Sequence, residues 1–148
     1  KKKIVLIGGG PACMIAACML GSKFDVVLYE QGKVIGRKFL VAGNGGFNLT
    51  NNIEHNALIE AYTTSKALTN ALNSFTSNDL REWLKAIGIP TFVGSSNRVF
   101  PEKGIKPAHV LAAIKKELIK NNVEVDLNTE LVSFSSEKHP IKKTDFSF

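Results

Sequence analysis

The sequence has no long apolar run, few cysteines and a single tryptophan. None of its apolar segments approaches the roughly 20 residues that a membrane helix needs. The opening Lys1–Lys3 and the apolar stretch 4–7 resemble a secretion signal, but glycines interrupt that stretch at once. We therefore expect no secretory leader and no membrane partner, and we predict a cytoplasmic protein.

The histidines and lysines are too dispersed to mark a metal or nucleic-acid site. His55, His109 and His139 stand far apart without metal-ligand spacing, so we predict no metal. The formal charge is +6, but the lysines are scattered and no basic face is interleaved with aromatic residues. We interpret them as solvated surface charges that help to attract an anionic ligand, and we predict no nucleic-acid partner.

The two cysteines, Cys13 and Cys18, have the spacing of some redox-active dithiols. Both fall in the first predicted helix, where residues five apart differ by roughly 140° around the axis and do not face each other. We therefore predict two small buried side chains rather than a redox pair.

The strongest signal is the order of elements in the first 30 residues. An apolar strand, 4–7, runs into the glycines 8–10, a helix begins at Pro11, and a second strand ends on Glu30. This order is that of a dinucleotide-binding βαβ unit. The remaining alternative is a chance glycine turn in an ordinary α/β domain.

Each part of this unit has a physical role. Gly8 permits a tight turn, and Gly10 lets the backbone approach a pyrophosphate. The following helix offers free N–H groups and the positive end of its dipole. The third glycine of the pattern is replaced by Cys13, which affects the packing of helix against strand rather than the phosphate contact.

Glu30 follows Gly8 at about the 20-residue spacing expected of an acid that accepts hydrogen bonds from ribose hydroxyls. A 2′-phosphate would be repelled by its charge, so the unit should hold FAD or NAD rather than NADP. The alternative is that Glu30 is only a solvated strand end.

The hydrophobic pattern predicts an α/β fold in which a mainly parallel sheet is packed with helices. The predicted elements are a strand 3–7, a helix 11–20, a strand 24–29, a loop-like segment 31–52, helices 56–62, 65–75 and 78–87, strands 91–93 and 98–100, a helix 107–121, and strands 123–127 and 129–134. Thr76 and Asp79 form a predicted capping box, and Gly88 ends the helix that follows it. The tail from Ser135 is interpreted as an edge hairpin.

A second motif occupies residues 36–51. Arg37 and Lys38 place two cations where they can reach a pyrophosphate or a ribose. Gly43, Gly45 and Gly46 allow the backbone to lie against a flat ring or a phosphate, and Asn44 and Asn48 add amide donors and acceptors. The alternative is a purely structural loop.

The two motifs together resemble the signature of the aminoacetone-oxidase-like (YhiN-like) FAD-binding flavoproteins. The shared features are the dinucleotide fingerprint, the Gly-Arg-Lys segment at 36–38, the glycine run, Asn-Leu-Thr-Asn at 48–51 and Arg-Val-Phe-Pro at 98–101. This resemblance covers most of residues 3–134. It implies a Rossmann-like FAD/NAD(P)-binding domain and an inserted second domain further along.

The resemblance also implies roles for individual residues. Those expected near the pyrophosphate are Gly8, Gly10, Pro11 and Ala12. Glu30 would bind the adenosine ribose, while Arg37 and Lys38 would line the phosphate–ribose side. Asn44, Gly45 and Gly46 would lie near the flavin, and the backbone of Leu131 near the adenine.

The sequence departs from the family pattern at two places. Gly46-Phe47 stands where the family often has arginine and cysteine, and Ala42 stands where it has serine. The family's later Ala-Thr-Gly-Gly strand and its C-terminal flavin-contacting Gly-Asp segment are absent. We therefore expect residues 1–148 to be the N-terminal part of a FAD-binding Rossmann-type domain, incomplete at its C-terminus, with 53–122 as a helical segment containing a short strand pair.

These observations lead to three functional hypotheses. The first is a FAD-dependent oxidoreductase acting on a small-molecule substrate, with NAD(P)H as a candidate electron donor. The others are an NAD-dependent dehydrogenase and a non-catalytic dinucleotide-binding domain. The sequence identifies no catalytic acid or base, no substrate and no oligomeric state.

Overall fold

The computed structural model describes residues 1–41, 47–62 and 66–132. In chain order its elements are β1 (Lys3–Ile7), α1 (Pro11–Leu20), β2 (Asp25–Tyr29), α2 (Arg37–Val41), β3 (Thr50–Asn51), α3 (His55–Ala61), α4 (Lys66–Ser74), α5 (Ser77–Ala86), β4 (Thr91–Val93), β5 (Arg98–Pro101), α6 (Pro107–Lys120) and β6 (Glu124–Asp126). They divide into a first unit, residues 1–42 and 111–148, and a second unit, residues 43–110.

The sheet of the first unit is parallel, with the strand order β1-β2-β6. Ile4 lies opposite Val26, and Leu28 lies opposite Val125. Parallel neighbours require crossover connections, and here α1 joins β1 to β2 while α6 leads into β6. The order matches one half of a doubly wound nucleotide-binding sheet. The predicted α/β class with a parallel sheet is confirmed.

The core of the first unit is built from α1, β2 and the C-terminal part of α6. The buried side chains include Met14, Leu28, Ile114 and Leu118, each at most 2% exposed. Three consecutive residues of β2, 26–28, are buried, as expected of a central parallel strand. Burial of each large side chain contributes roughly 1.5–3 kcal/mol.

The second unit contains an antiparallel sheet with the strand order β3-β5-β4. Val99 on the central strand is fully buried, and the ring centroids of Phe92 and Phe100 lie 5.8 Å apart. Helix α5 contacts β3 and β4. It begins with the predicted capping box, in which Thr76 and Asp79 each bind the other's backbone N–H. It ends before Gly88, where a φ of +84° reverses the chain.

The predicted loop 31–52 is wrong in two places, since it contains α2 and β3. Helix α2 has five residues and β3 has two. Both are too short to show a readable periodicity in the sequence. Because Thr50 pairs with Val99, the predicted strand pair is in fact a three-stranded sheet.

The predicted strand 129–134 is also wrong over its described part, 129–132, which lies outside any strand. After β6 the chain turns at Asn128, whose φ is +53°. The Thr129 N–H then donates to the Glu30 carbonyl at 2.9 Å. This bond holds the start of the segment against the residue that follows β2, and the segment adds no strand to the sheet. The predicted hairpin from Ser135 falls outside the described residues.

Two features are absent from residues 1–41, 47–62 and 66–132. In those ranges, no helix combines the length and apolar character needed to cross a membrane. No group of His, Cys, Asp or Glu side chains within the same ranges could hold a metal ion.

Candidate dinucleotide site

The turn between β1 and α1 begins with a glycine in a conformation that disfavours side chains. Gly8 has a φ of +101°, a region that glycine adopts without the steric penalty of a Cβ. Its N–H donates to the carbonyl of Tyr29 at 2.7 Å. The turn is thereby fixed to the carboxyl end of the neighbouring strand, β2.

Gly10 leaves the N-terminus of α1 open. It is the N-cap residue, and no side chain caps the helix there. A Cβ on Gly10 would meet no atom within 4 Å. The first intrahelical bond is from Met14 N–H to the Gly10 carbonyl at 3.0 Å, so the earlier N–H groups of the first turn lack helical acceptors. Such a terminus favours an anion.

Gly9 has no room for a Cβ. A Cβ there would lie 2.6 Å from Ile35 Cγ2 and 2.8 Å from Glu30 Oε2. The Gly9 carbonyl accepts a hydrogen bond from the Gly36 N–H at 2.8 Å. Sequence reasoning missed this requirement, because the fingerprint treats the residue between its first two glycines as variable.

The Glu30 carboxylate lies against the glycine turn. Its Oε2 accepts the Gly9 N–H at 2.6 Å, and its Oε1 accepts the Gly32 N–H at 2.7 Å. The Glu30 backbone N–H donates to the Asp126 carbonyl at 2.9 Å, which fixes the residue beside β6. The acid and the turn are thus on the same side of the sheet and adjacent.

A cleft of about 1030 Å³ opens beside the turn and the acid. Its lining comes from the glycine turn, the segment after β2, helix α2 and one residue after β6. The lining residues are Gly8, Gly9, Gly10, Glu30, Gln31, Gly32, Lys33, Val34, Gly36, Arg37, Lys38, Phe39, Val41 and Asn128. The charged members are Lys33, Arg37, Lys38 and Glu30, which gives the cleft an excess of positive charge suited to an anionic ligand.

Most predicted site residues of the first unit lie at this cleft. Gly8, Gly10, Glu30, Arg37 and Lys38 line it. Pro11 and Ala12 form the exposed start of α1 next to Gly10.

Other predicted residues do not line it or lie outside the described residues. Leu131 is half-buried and is not part of the lining, whereas Asn128, three residues earlier, is. Asn44, Gly45 and Gly46 lie outside the described residues. Besides Gly9, sequence reasoning missed Gly32 and Asn128, whose backbones are joined by an Asn128 N–H to Gly32 carbonyl bond of 3.1 Å. No local pattern links these two residues.

The cysteines have separate structural roles, and both are free thiols. Cys13, at the third position of the fingerprint, donates from its Sγ to the Ile7 carbonyl at 3.4 Å, so it fills the contact between α1 and the end of β1. It is half-buried rather than buried. Cys18 is buried as predicted; burial, followed by the negative charge of Glu117, raises the pKa of its thiol to about 11.

The curated proteins include a relative with a reductase activity. The chain is 29% identical over 126 residues to the 3-dehydro-bile acid delta(4,6)-reductase of Clostridium scindens. That match covers 83% of this chain and 30% of the reductase. The chain therefore spans less than a third of the length of this relative.

Solved structures share the fold at low sequence identity. The 3-ketosteroid-delta4-(5alpha)-dehydrogenase of Rhodococcus jostii matches with a TM-score of 0.61 and 14% identity, over 88% of this chain and 39% of that one. The THI4 protein of Thermovibrio ammonificans matches with a TM-score of 0.58 and 16% identity, over 96% of this chain and 45% of that one. These matches support the fold alone.

The family model described as "HI0933-like protein Rossmann domain" matches residues 2–147. A Rossmann domain agrees with the parallel sheet and its helical crossover connections. The resemblance identified from the two sequence motifs is confirmed. The chain belongs to the HI0933-like Rossmann-domain family, the FAD-binding family of the aminoacetone-oxidase-like proteins.

Proposed function

We propose that the cleft of the first unit binds the ADP portion of FAD, and that the protein works as a flavin-dependent oxidoreductase. The observation that carries this proposal is the Glu30 carboxylate hydrogen-bonded to Gly9 N–H at 2.6 Å. A ribose acceptor and a phosphate-binding turn are thereby adjacent, as the adenosine and pyrophosphate of a dinucleotide require.

The residues of the cleft suit the parts of this ligand. The pyrophosphate would lie at the turn and helix start formed by Gly8, Gly10, Pro11 and Ala12, where Gly10 leaves open space. Glu30 would accept hydrogen bonds from the adenosine ribose. Arg37 and Lys38 would neutralise phosphate charge from the start of α2.

The remaining assignments rest on the family resemblance. The flavin would lie near Asn44, Gly45 and Gly46. Leu131 would offer its backbone to the adenine. Asn128, which lines the cleft, is a second residue of the same segment suited to the adenine side.

The charge of Glu30 favours a free 2′-hydroxyl over a 2′-phosphate, which excludes NADP from this position. FAD, when bound, would supply hydride or electron transfer at its isoalloxazine ring. The chain's own residues would bind and orient it. No catalytic acid or base is assigned.

The intact protein would act on a small-molecule substrate in the cytoplasm, with NAD(P)H as the electron donor. The reductase relative from Clostridium scindens supports a reduction reaction. If purified full-length protein carries a flavin whose visible absorbance bleaches on anaerobic addition of NADH or NADPH, the donor is supported. A flavin that neither nucleotide reduces would contradict this choice of donor.

The cofactor itself is tested by incubating the protein with FAD or NAD, removing free ligand and recording the absorbance spectrum. We expect the yellow flavin absorbance to remain with the protein. Retention of NAD with no retention of FAD would favour an NAD-dependent dehydrogenase and would contradict the proposal.

A charge reversal at Glu30 tests the ribose contact. Glu30→Arg should weaken FAD binding by about 1–3 kcal/mol, because charged hydrogen bonds to the ribose are lost. Glu124→Arg is a matched control, since Glu124 is exposed on β6 and does not line the cleft. An unchanged FAD affinity in Glu30→Arg, measured by fluorescence titration, would remove Glu30 from the ribose site.

A further inference from the structure

Both oxygens of the Glu30 carboxylate are engaged by backbone groups. Oε2 accepts the Gly9 N–H at 2.6 Å, and Oε1 accepts the Gly32 N–H at 2.7 Å. These are short distances for N–H to oxygen bonds and are typical of charge-assisted ones. One side chain therefore joins the glycine turn to the segment after β2.

Backbone hydrogen bonds also join these two segments to each other and the segment after β2 to the one after β6. The Gly36 N–H donates to the Gly9 carbonyl at 2.8 Å. The Gly32 carbonyl accepts the Asn128 N–H at 3.1 Å. Gly9 is thus held from its N–H by Glu30 and from its carbonyl by Gly36, which leaves its peptide planes little freedom.

Ribose binding does not compete with these contacts. A carboxylate has about four acceptor sites, two on each oxygen. The two backbone N–H groups use two of them, and two remain for ribose hydroxyls. Glu30 can hold the turn and the sugar at the same time.

We propose that Glu30 is a positioning residue for the phosphate-binding turn, in addition to contacting the ribose. Its carboxylate fixes the Gly9 peptide and thereby the orientation of Gly10 and the start of α1. Diphosphate affinity then depends on Glu30 even for a nucleotide whose ribose has no hydroxyl groups. This inference rests on the proposed function.

Glu30→Gln disturbs the backbone contacts of the carboxylate with little change in size. The amide has one oxygen to accept an N–H, and its NH₂ group faces the other N–H as a second donor. At least one of the two backbone contacts is therefore lost. Glu124→Gln is the control, because it makes the same change on an exposed residue outside the cleft.

The binding test measures dissociation constants for ADP and 2′,3′-dideoxy-ADP by calorimetry on the wild-type chain and both variants. We expect Glu30→Gln to weaken both nucleotides at least fivefold and Glu124→Gln to weaken neither. If Glu30→Gln weakens ADP but not dideoxy-ADP, Glu30 acts through the ribose alone. That result would overturn the positioning role while supporting the proposed function.

An NMR measurement tests the positioning role without nucleotide and without a variant. In the isotopically labelled wild-type chain, we expect a scalar coupling across the hydrogen bond between the Glu30 carboxylate carbon and the Gly9 amide nitrogen. Its absence would overturn the inference. If the coupling is present but wild type binds neither nucleotide, the positioning of the turn stands and the proposed function fails.

Discussion

Three adjacent residues, Gly8 to Gly10, are glycine for three different physical reasons. Gly8 has a positive φ of +101°. Gly9 has no room for a Cβ beside Ile35 and Glu30. Gly10, the N-cap residue of α1, has open space where its Cβ would stand. Replacement of each glycine should therefore affect a different property.

Alanine at positions 9 and 10 should separate stability from ligand affinity. Gly9→Ala forces its Cβ into Ile35 Cγ2 at 2.6 Å, so the free energy of unfolding should fall by about 1–3 kcal/mol. Gly10→Ala meets no atom and keeps an extended backbone with φ of −78°. Its stability should stay within about 0.5 kcal/mol of wild type, while FAD affinity falls at least tenfold.

Chemical denaturation and FAD titration of both variants test this pair of expectations. Ile35→Ala removes the closest atom, so its loss of stability and that of Gly9→Ala should be less than additive in the double variant. A Gly10→Ala variant that binds FAD as tightly as wild type would show that no phosphate approaches Gly10.

The two thiols should differ sharply in reactivity. Alkylation requires the thiolate, and burial raises the pKa of the Cys18 thiol to about 11. Its side chain is also only 5% exposed. In native protein at neutral pH, iodoacetamide should modify Cys13 at least tenfold faster than Cys18, as measured by peptide mass spectrometry. Equal rates that persist in folded protein would contradict the buried position of Cys18.

At the scale of elements, local chemistry determined which parts the sequence could predict. Helix α5 was predicted from Thr76, Asp79 and Gly88, because capping residues act within a few positions of each other. Helix α1 was predicted with its observed bounds, since Pro11 and the flanking glycines mark its ends. Every interaction behind these predictions is local in sequence.

The missed elements depend on partners distant in the chain. β3 exists because Thr50 pairs with Val99, and residues 129–132 leave the sheet because Thr129 binds the Glu30 carbonyl. Apolar and β-branched residues at 129–134 match a strand pattern, but the positive φ of Asn128 and the bond to Glu30 direct the chain elsewhere. These pairings join residues that are far apart in the chain, so no short segment of the sequence predicts them.

Removal of the α5 cap should destabilise the protein. Thr76 Oγ1 accepts the Asp79 N–H at 3.2 Å, and Asp79 Oδ2 accepts the Thr76 N–H at 2.8 Å. Thr76→Ala should lower the free energy of unfolding by about 1 kcal/mol. Asn78→Ala, on the exposed first turn of the same helix, is the control. If urea denaturation shows the same loss in the free energy of unfolding for both variants, the capping box does not stabilise the helix.

The effect of this cap should also depend on pH. The hydrogen bonds from the Thr76 side chain and then its backbone N–H hold the pKa of Asp79 below its ordinary value. A carboxyl with a lowered folded-state pKa contributes stability above its ordinary pKa of about 4, and loses it as the pH falls through the folded value. The difference between wild type and Thr76→Ala should therefore shrink in acid. A constant difference down to the lowest pH at which the protein stays folded would argue against the Asp79 contact.

At the scale of the whole molecule, the cleft lies where the strands of the first unit's parallel sheet end. Gly8 follows β1, Glu30 follows β2, and Asn128 follows β6. Ligands of open α/β sheets bind at this carboxyl edge. Gly8 and Glu30 belong to one βαβ unit, and their spacing in the sequence predicted them as site residues. Asn128 arrives through β6 after the whole second unit, so only the fold reveals it.

The most direct test of the site is chemical-shift mapping of ADP, the portion shared by FAD and NAD, on the isotopically labelled chain. We predict that the largest amide shifts occur at residues 8–10, 12, 13 and 30–32, with smaller shifts at Arg37 and Lys38. Shifts concentrated in the second unit, with the amides of Gly9, Gly10 and Glu30 unmoved, would contradict a dinucleotide site at the glycine turn.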